Sequence, residues 1–150
     1  MGNISLTKQL DAAPTALFDT LVDTGTWGDW FTIHRDFTAP PPATLTAGAA
    51  LPAKITLLDI TLRVEWTVET LTVPTDLVLQ GAAMTATRCR FAFAMTPRDN
   101  GTFVQVSGDF GGPLIKGSLS RALEKHGRIQ LNTTLDRLGV LAANRTAVRP

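Results

Sequence analysis

The chain contains no tyrosine, one cysteine and two histidines. No apolar run approaches the length needed to span a bilayer. Each scarcity excludes something. The lone Cys89 can form neither an internal disulfide nor a Cys-rich zinc or iron–sulfur site. His34, His126 and Cys89 lack metal-ligand spacing, so no metal and no other cofactor is expected. The first residues, Met1-Gly2-Asn3-Ile4-Ser5, lack a basic stretch followed by an apolar one. Neither a secretory signal nor a membrane span is expected, and the expected setting is cytoplasmic.

What is present describes one globular domain over residues 1–150, with a frayed tail from about residue 144. Of the 150 residues, 44% are apolar and 18% charged, enough to bury roughly 68–70% of the unfolded surface in one core. The net charge of +1 conceals a division. Residues 113–150 carry seven basic side chains against Glu124 and Asp136, a net of +5, which leaves −4 on the other 112 residues. A basic C-terminal segment either serves an anionic partner or is the solvated face of a long helix. The latter is the simpler reading, so nucleic acid is not an expected partner.

Periodicity orders the elements. Ile4, Leu6 and Leu10 share one face of a first strand, and the same phase places Lys8 on that apolar face. Asp11-Ala12-Ala13-Pro14 reads as a helix start, with Pro14 suited to the first turn. Ala16, Leu17, Phe18, Leu21 and Val22 then form a short helical stripe, and a second helical turn is expected over residues 26–31. Strand patterns follow. In residues 60–68, Ile60, Leu62, Val64, Trp66 and Val68 alternate with polar side chains, the signature of a sheet wet on one face. Cys89, Phe91, Phe93 and Met95 share a face, and Asp99-Asn100-Gly101 signals a tight hairpin leading to Val104, Val106 and Phe110. Beyond Gly111-Gly112-Pro113 the period becomes helical. Ile115, Leu119, Ala122, Leu123 and Ile129 form a stripe around His126, and Leu131, Leu135, Leu138 and Ala142 continue it on a face shifted after a bend expected at Gly127.

The fold class expected is α+β: a curved antiparallel sheet of about seven strands wrapped on a long C-terminal helix, with two short helices after the first strand. An apolar sheet face needs a cover, and the last helix is the only element long enough. A cavity between sheet and helix is expected.

This order, together with Trp27-Gly28-Asp29-Trp30-Phe31-Thr32-Ile33-His34-Arg35 and Asp109-Phe110-Gly111-Gly112-Pro113, resembles the helix-grip fold of the START-like, Bet v 1-like superfamily. It is similar in particular to an actinobacterial subfamily labelled polyketide cyclase/dehydrase, some members of which are described as toxins of toxin–antitoxin pairs. The resemblance implies a carrier of a hydrophobic ligand, an enzyme of the cyclase or aromatase type, or a toxin-like protein with a protein partner or a second copy of itself. It supplies no fixed catalytic signature, and the missing tyrosine excludes any cyclase mechanism built on a tyrosine hydroxyl.

The leading expectation is a small aromatic or acyl, lipid- or polyketide-like ligand held between sheet and helix. Trp27, Trp30 and Phe31 offer flat apolar area near a cavity mouth, or else lock the short helices to the sheet. Trp66, Phe91, Phe93, Phe110, Leu119 and Leu123 point inward as wall or as core. His34 and His126 are acid/base candidates, because imidazole titrates near neutral pH, and Arg35 is a candidate to steady a developing enolate. Each histidine also has a purely structural reading. Lys8 either neutralises a ligand carboxylate or extends its amine to water at the sheet end.

Overall fold

The computed structural model describes residues 2–58, 60–83, 87–113 and 117–148. Strand β1 (Gly2–Leu10) leads into helix α1 (Pro14–Val22), a 3-10 turn (Thr24–Thr26) and the short helix α2 (Trp27–Trp30). Strands β2 (His34–Phe37), β3 (Ala50–Leu57), β4 (Ile60–Thr72), β5 (Asp76–Ala83), β6 (Arg88–Arg98) and β7 (Gly101–Gly111) follow, and helix α3 (Gly117–Val148) closes the described chain. All seven strands form one antiparallel sheet in the order β1-β7-β6-β5-β4-β3-β2.

Alternation builds the sheet. On β4, Val64, Trp66 and Val68 are buried, whereas Glu65, Thr67 and Glu69 are exposed. On β6, Cys89, Phe91, Phe93 and Met95 are buried. The inner face that these side chains form is covered by α3, with α1 and α2 packed against that helix at one end. Pro14 opens α1, where a missing N–H costs nothing, and Leu17, Phe18 and Leu21 turn inward.

Helix α3 is continuous from Gly117 to Val148. A Cβ on Gly127 would lie 2.4 Å from Cδ1 of Ile4, so this glycine lets α3 approach β1. The buried face agrees with the sequence pattern at Leu123, Leu131, Leu135, Leu138 and Ala142 and departs from it elsewhere. It runs through Ser120, Leu123, Leu131, Thr134, Leu135, Leu138 and Ala142, passing Gly127 on the way. Ala122, His126 and Ile129, placed on the inward stripe by the sequence pattern, are exposed. Ile115 lies outside the described residues, as do Arg149 and Pro150.

Two hairpins are tight. Arg98 pairs with Gly101, leaving Asp99 (φ 51°) and Asn100 (φ 64°) as the turn. Asp and Asn tolerate that left-handed region. Gly101 itself is already in the strand, where a Cβ would sit 2.3 Å from the carbonyl oxygen of Leu10. In the other hairpin Leu57 pairs with Ile60, and the first turn residue is Leu58 with φ 48°. A leucine there costs roughly 1–2 kcal/mol.

Candidate functional site

The two plug tryptophans are bonded core residues. Trp27 is fully buried, and its indole donates to the carbonyl oxygen of Leu21 at 3.0 Å, satisfying a group at the end of α1. Trp30 is equally buried and donates to the Thr26 hydroxyl at 2.9 Å. From there a chain of aromatic rings crosses the interior. Trp30 stacks on Phe31 at 5.3 Å, Phe31 meets Phe91 edge-on at 5.4 Å, and Phe91 meets Phe110 at 5.7 Å. Phe93 packs against Trp30 at 6.1 Å.

This chain of rings nearly fills the space expected to hold a ligand. The interior void beneath α3 has a volume of about 20 Å³. One water needs about 10–15 Å³, whereas a small-molecule site usually has about 300–1,000 Å³. The interior is closed. Its apolar walls are Phe31, Phe91, Phe110 and Leu123, and its mouth lies between Leu57 and Leu58 of the β3–β4 turn and His126 and Gln130 of α3. The Thr32 and Thr134 hydroxyls, 3.0 Å apart, add a polar patch to the wall and tie the α2–β2 connection to the helix.

The sequence-derived candidates divide accordingly. Phe31, Phe91, Phe110, Leu123 and His126 line the void. Trp27, Trp30, Trp66 and Phe93 stand behind it, and the half-buried Leu119 packs against the core without reaching it. Lys8 is not free for a ligand carboxylate, since its amine bonds Asp136 and, at 3.0 Å, Asn132 of α3. The acid/base candidates do not converge. A bulge between His34 and Asp36 turns His34 and Phe37 inward and leaves both Arg35 and Asp36 exposed, so His34 and Asp36 do not share a face. His126 is exposed at the mouth, its ring nitrogen 3.2 Å from the Gln130 amide. Thr32, Thr134, Gln130, Leu57 and Leu58 line the void without any signal in the periodicity. Leu57 ends β3, Thr32 and Leu58 sit in connections, and Gln130 and Thr134 are polar side chains on α3.

Two buried polar atoms near this region lack a partner. Among the described residues, the fully buried Trp66 has no acceptor for its indole N–H, and Nδ1 of His34 is likewise unpaired. Trp66 lies one ring behind the void, its centroid 5.9 Å from Phe31 and 5.8 Å from Phe91. The other side of its ring fills the place where a Cβ on Gly81 would sit. His34 is wedged between Trp27 at 5.8 Å and Phe37 at 4.5 Å. Burial pushes its pKa below the usual histidine value, against a smaller opposing effect of Asp36. The thiol of Cys89 is pushed up to about 12 by burial, so it behaves as a small apolar group. Among the described residues no group of three His, Cys, Asp or Glu side chains could hold a metal ion. A hollow of about 620 Å³ lies on the outer face of the sheet, bordered by Arg63, Glu65, Gln80 and Arg88. It is open and of mixed charge.

Comparison with known proteins bears on this interior. Residues 1–140 match the family described as polyketide cyclase/dehydrase and lipid transport. No curated protein sequence matches the chain at a significant level. Protein CV1439 from Chromobacterium violaceum is similar in structure, with a TM-score of 0.72 and 12% identity over 95% of this chain and 98% of that one. Protein MLL2253 from Mesorhizobium loti gives 0.71 and 14% identity over 95% and 97%. Ara h 8.0201 gives 0.70 and 12% identity over 95% and 97%. At such identities the likeness concerns the fold: this is the START-like, Bet v 1-like helix grip.

Proposed function

The chain belongs to the polyketide cyclase/dehydrase and lipid transport family, and we propose that it binds one small hydrophobic ligand in the interior between the sheet and α3. The ligand is ring-bearing or acyl, with a polar end. It enters between the Leu57–Leu58 turn and α3, because that is where the walls of the void reach the surface. The void is closed at rest, so binding must part Phe31 and Phe91 or lift the turn, and affinity is reduced by the work of opening.

The observation that carries this reading is the unpartnered indole N–H of Trp66, fully buried and one ring behind an apolar void. A buried donor without an acceptor costs about 1–3 kcal/mol. A ligand carbonyl or carboxyl oxygen reaching past the parted rings would supply the acceptor. The Gln130–His126 pair offers a second polar contact at the mouth. A catalytic version of this reading would act through His126, since neither His34 nor Arg35 lines the void.

Titration with anilinonaphthalene sulfonate, followed by displacement with a medium-chain fatty acid and with a fused-ring polyphenol, tests the reading. One saturable site per chain is expected, displaced by at least one competitor and weakened by Trp66→Phe. Absence of saturable binding of the dye and of both competitors would sink it.

A further inference from the structure

Of the apolar stripe that the sequence places around His126, the fold buries Leu123 and half-buries Leu119 but leaves Ala122 and Ile129 uncovered. α3 buries one side through Leu123, Leu131, Leu135 and Leu138. On its solvent side Ala122, Ile129 and Val140 follow at intervals of seven and eleven residues, close to two and three whole helical turns, so they form one ridge. Ile129 is 60% exposed and Val140 61%. Lys125 lies on one flank of that ridge and Arg137 on the other, both exposed, with Arg121 and Arg128 further round. Of the two acidic side chains on this stretch, Asp136 is held by Lys8 and Glu124 is half-buried.

We propose that this side of α3 docks on an anionic lipid surface. The proposal rests on the interior-ligand reading and says where the ligand is exchanged: His126 belongs both to the exposed side of α3 and to the mouth of the void. An apolar ridge flanked by cations is the pattern of a helix that lies in the plane of a membrane interface. Charge selects the occupant. Residues 113–150 carry a net +5, so a second copy of α3 laid against the first would be repelled, whereas anionic headgroups attract it. Nucleic acid would satisfy the cations but would offer nothing to Ile129 and Val140. No helix among the described residues is long and apolar enough to cross a bilayer, so the contact proposed is a surface one.

Co-sedimentation with vesicles tests this. The protein should pellet with an equal mixture of phosphatidylcholine and phosphatidylglycerol, remain in solution with phosphatidylcholine alone, and be released by salt. Ile129→Asp with Val140→Asp, and separately Lys125→Gln with Arg137→Gln, should each weaken binding at least about tenfold. Circular dichroism on each variant should show the fold unchanged, since all four side chains are exposed. Equal binding to both vesicle types, or binding that survives both pairs of substitutions, would overturn the proposal. So would salt-sensitive binding to duplex DNA that is lost with the cations but indifferent to Ile129 and Val140, or a dimer dissolved by Ile129→Asp. Dye titration without vesicles reads the interior site separately, so loss of vesicle binding with dye binding intact would remove this inference and spare the other.

Discussion

The two ends of the interior are built to different standards. At the plug end both tryptophans and a buried threonine are bonded. Trp27 donates to Leu21, Trp30 to Thr26, and the fully buried Thr102 hydroxyl donates at 2.7 Å to the carbonyl oxygen of Ala12. Towards the mouth the rules relax. Trp66, one ring behind the void, keeps an indole N–H with no acceptor among the described residues, a void remains under α3, and a leucine occupies a left-handed turn position. The two hairpins show the same contrast in miniature. Asp99-Asn100 is ordinary turn chemistry at an exposed tip, while Leu58 puts an apolar side chain where Gly or Asn would be unstrained. Local consistency is given up where the side chain is needed for something else. On the proposed reading, the need is a mouth that closes on an apolar interior and opens again.

The comparison can be broken most sharply at the plug. Trp27→Ala should cost about 3–5 kcal/mol in a denaturant melt, because it removes a filled volume and leaves the Leu21 carbonyl unpaired. Trp66→Phe, equally buried, should lie within about 1 kcal/mol of the parent, since losing an orphan donor offsets the smaller ring. A large loss there would mean the indole N–H is satisfied after all. Exchanging the turns gives effects of opposite sign: Leu58→Asn should stabilise and Asp99→Leu destabilise, each by about 1 kcal/mol. Leu58→Asn should also speed dye entry, whereas Asp99→Leu should leave it unaltered. The smallest effect is on pH dependence. His34 has a folded pKa below its unfolded value, so it is neutral and costless above about pH 6.5. Stability should fall as pH drops from there towards the lowered folded value, because the unfolded chain takes the proton first. His34→Gln should flatten that part of the stability–pH curve while leaving the neutral side alone.

Much of the architecture is legible in the sequence. Alternation along β6 and from Val64 to Val68 of β4, the Pro14 start and the Asp99-Asn100-Gly101 turn are local signals that the packing obeys, whereas Ile60, expected inward, is 55% exposed at the start of β4. The faces of α3 are legible only in part, for a physical reason. Apolar residues occur on both sides of that helix, and the side it buries is interrupted by Ser120, Gly127 and Thr134, which no hydrophobic pattern selects. Gly127 is there for its lack of a side chain against Ile4, a requirement visible only when the two elements meet. The bulge in the four-residue β2 likewise changes which of His34, Arg35 and Asp36 faces inward, and so short a strand gives periodicity nothing to work with. Trp27, Trp30, Phe31, Trp66, Phe91, Phe93 and Phe110 all turn inward. Which of them would stand at the void and which behind it depended on packing.

The central claim is that a closed interior opens at one place to admit a ligand. Amide hydrogen exchange, with and without the competitor that displaces the dye, measures this directly. The account predicts that bound ligand alters exchange at Leu57 and Leu58, at Phe31 and Phe91, and along Leu123–Thr134, while the Asp99–Asn100 turn stays unchanged. Saturable binding that leaves those segments untouched, or that alters only the outer face around Arg63 and Arg88, would contradict it.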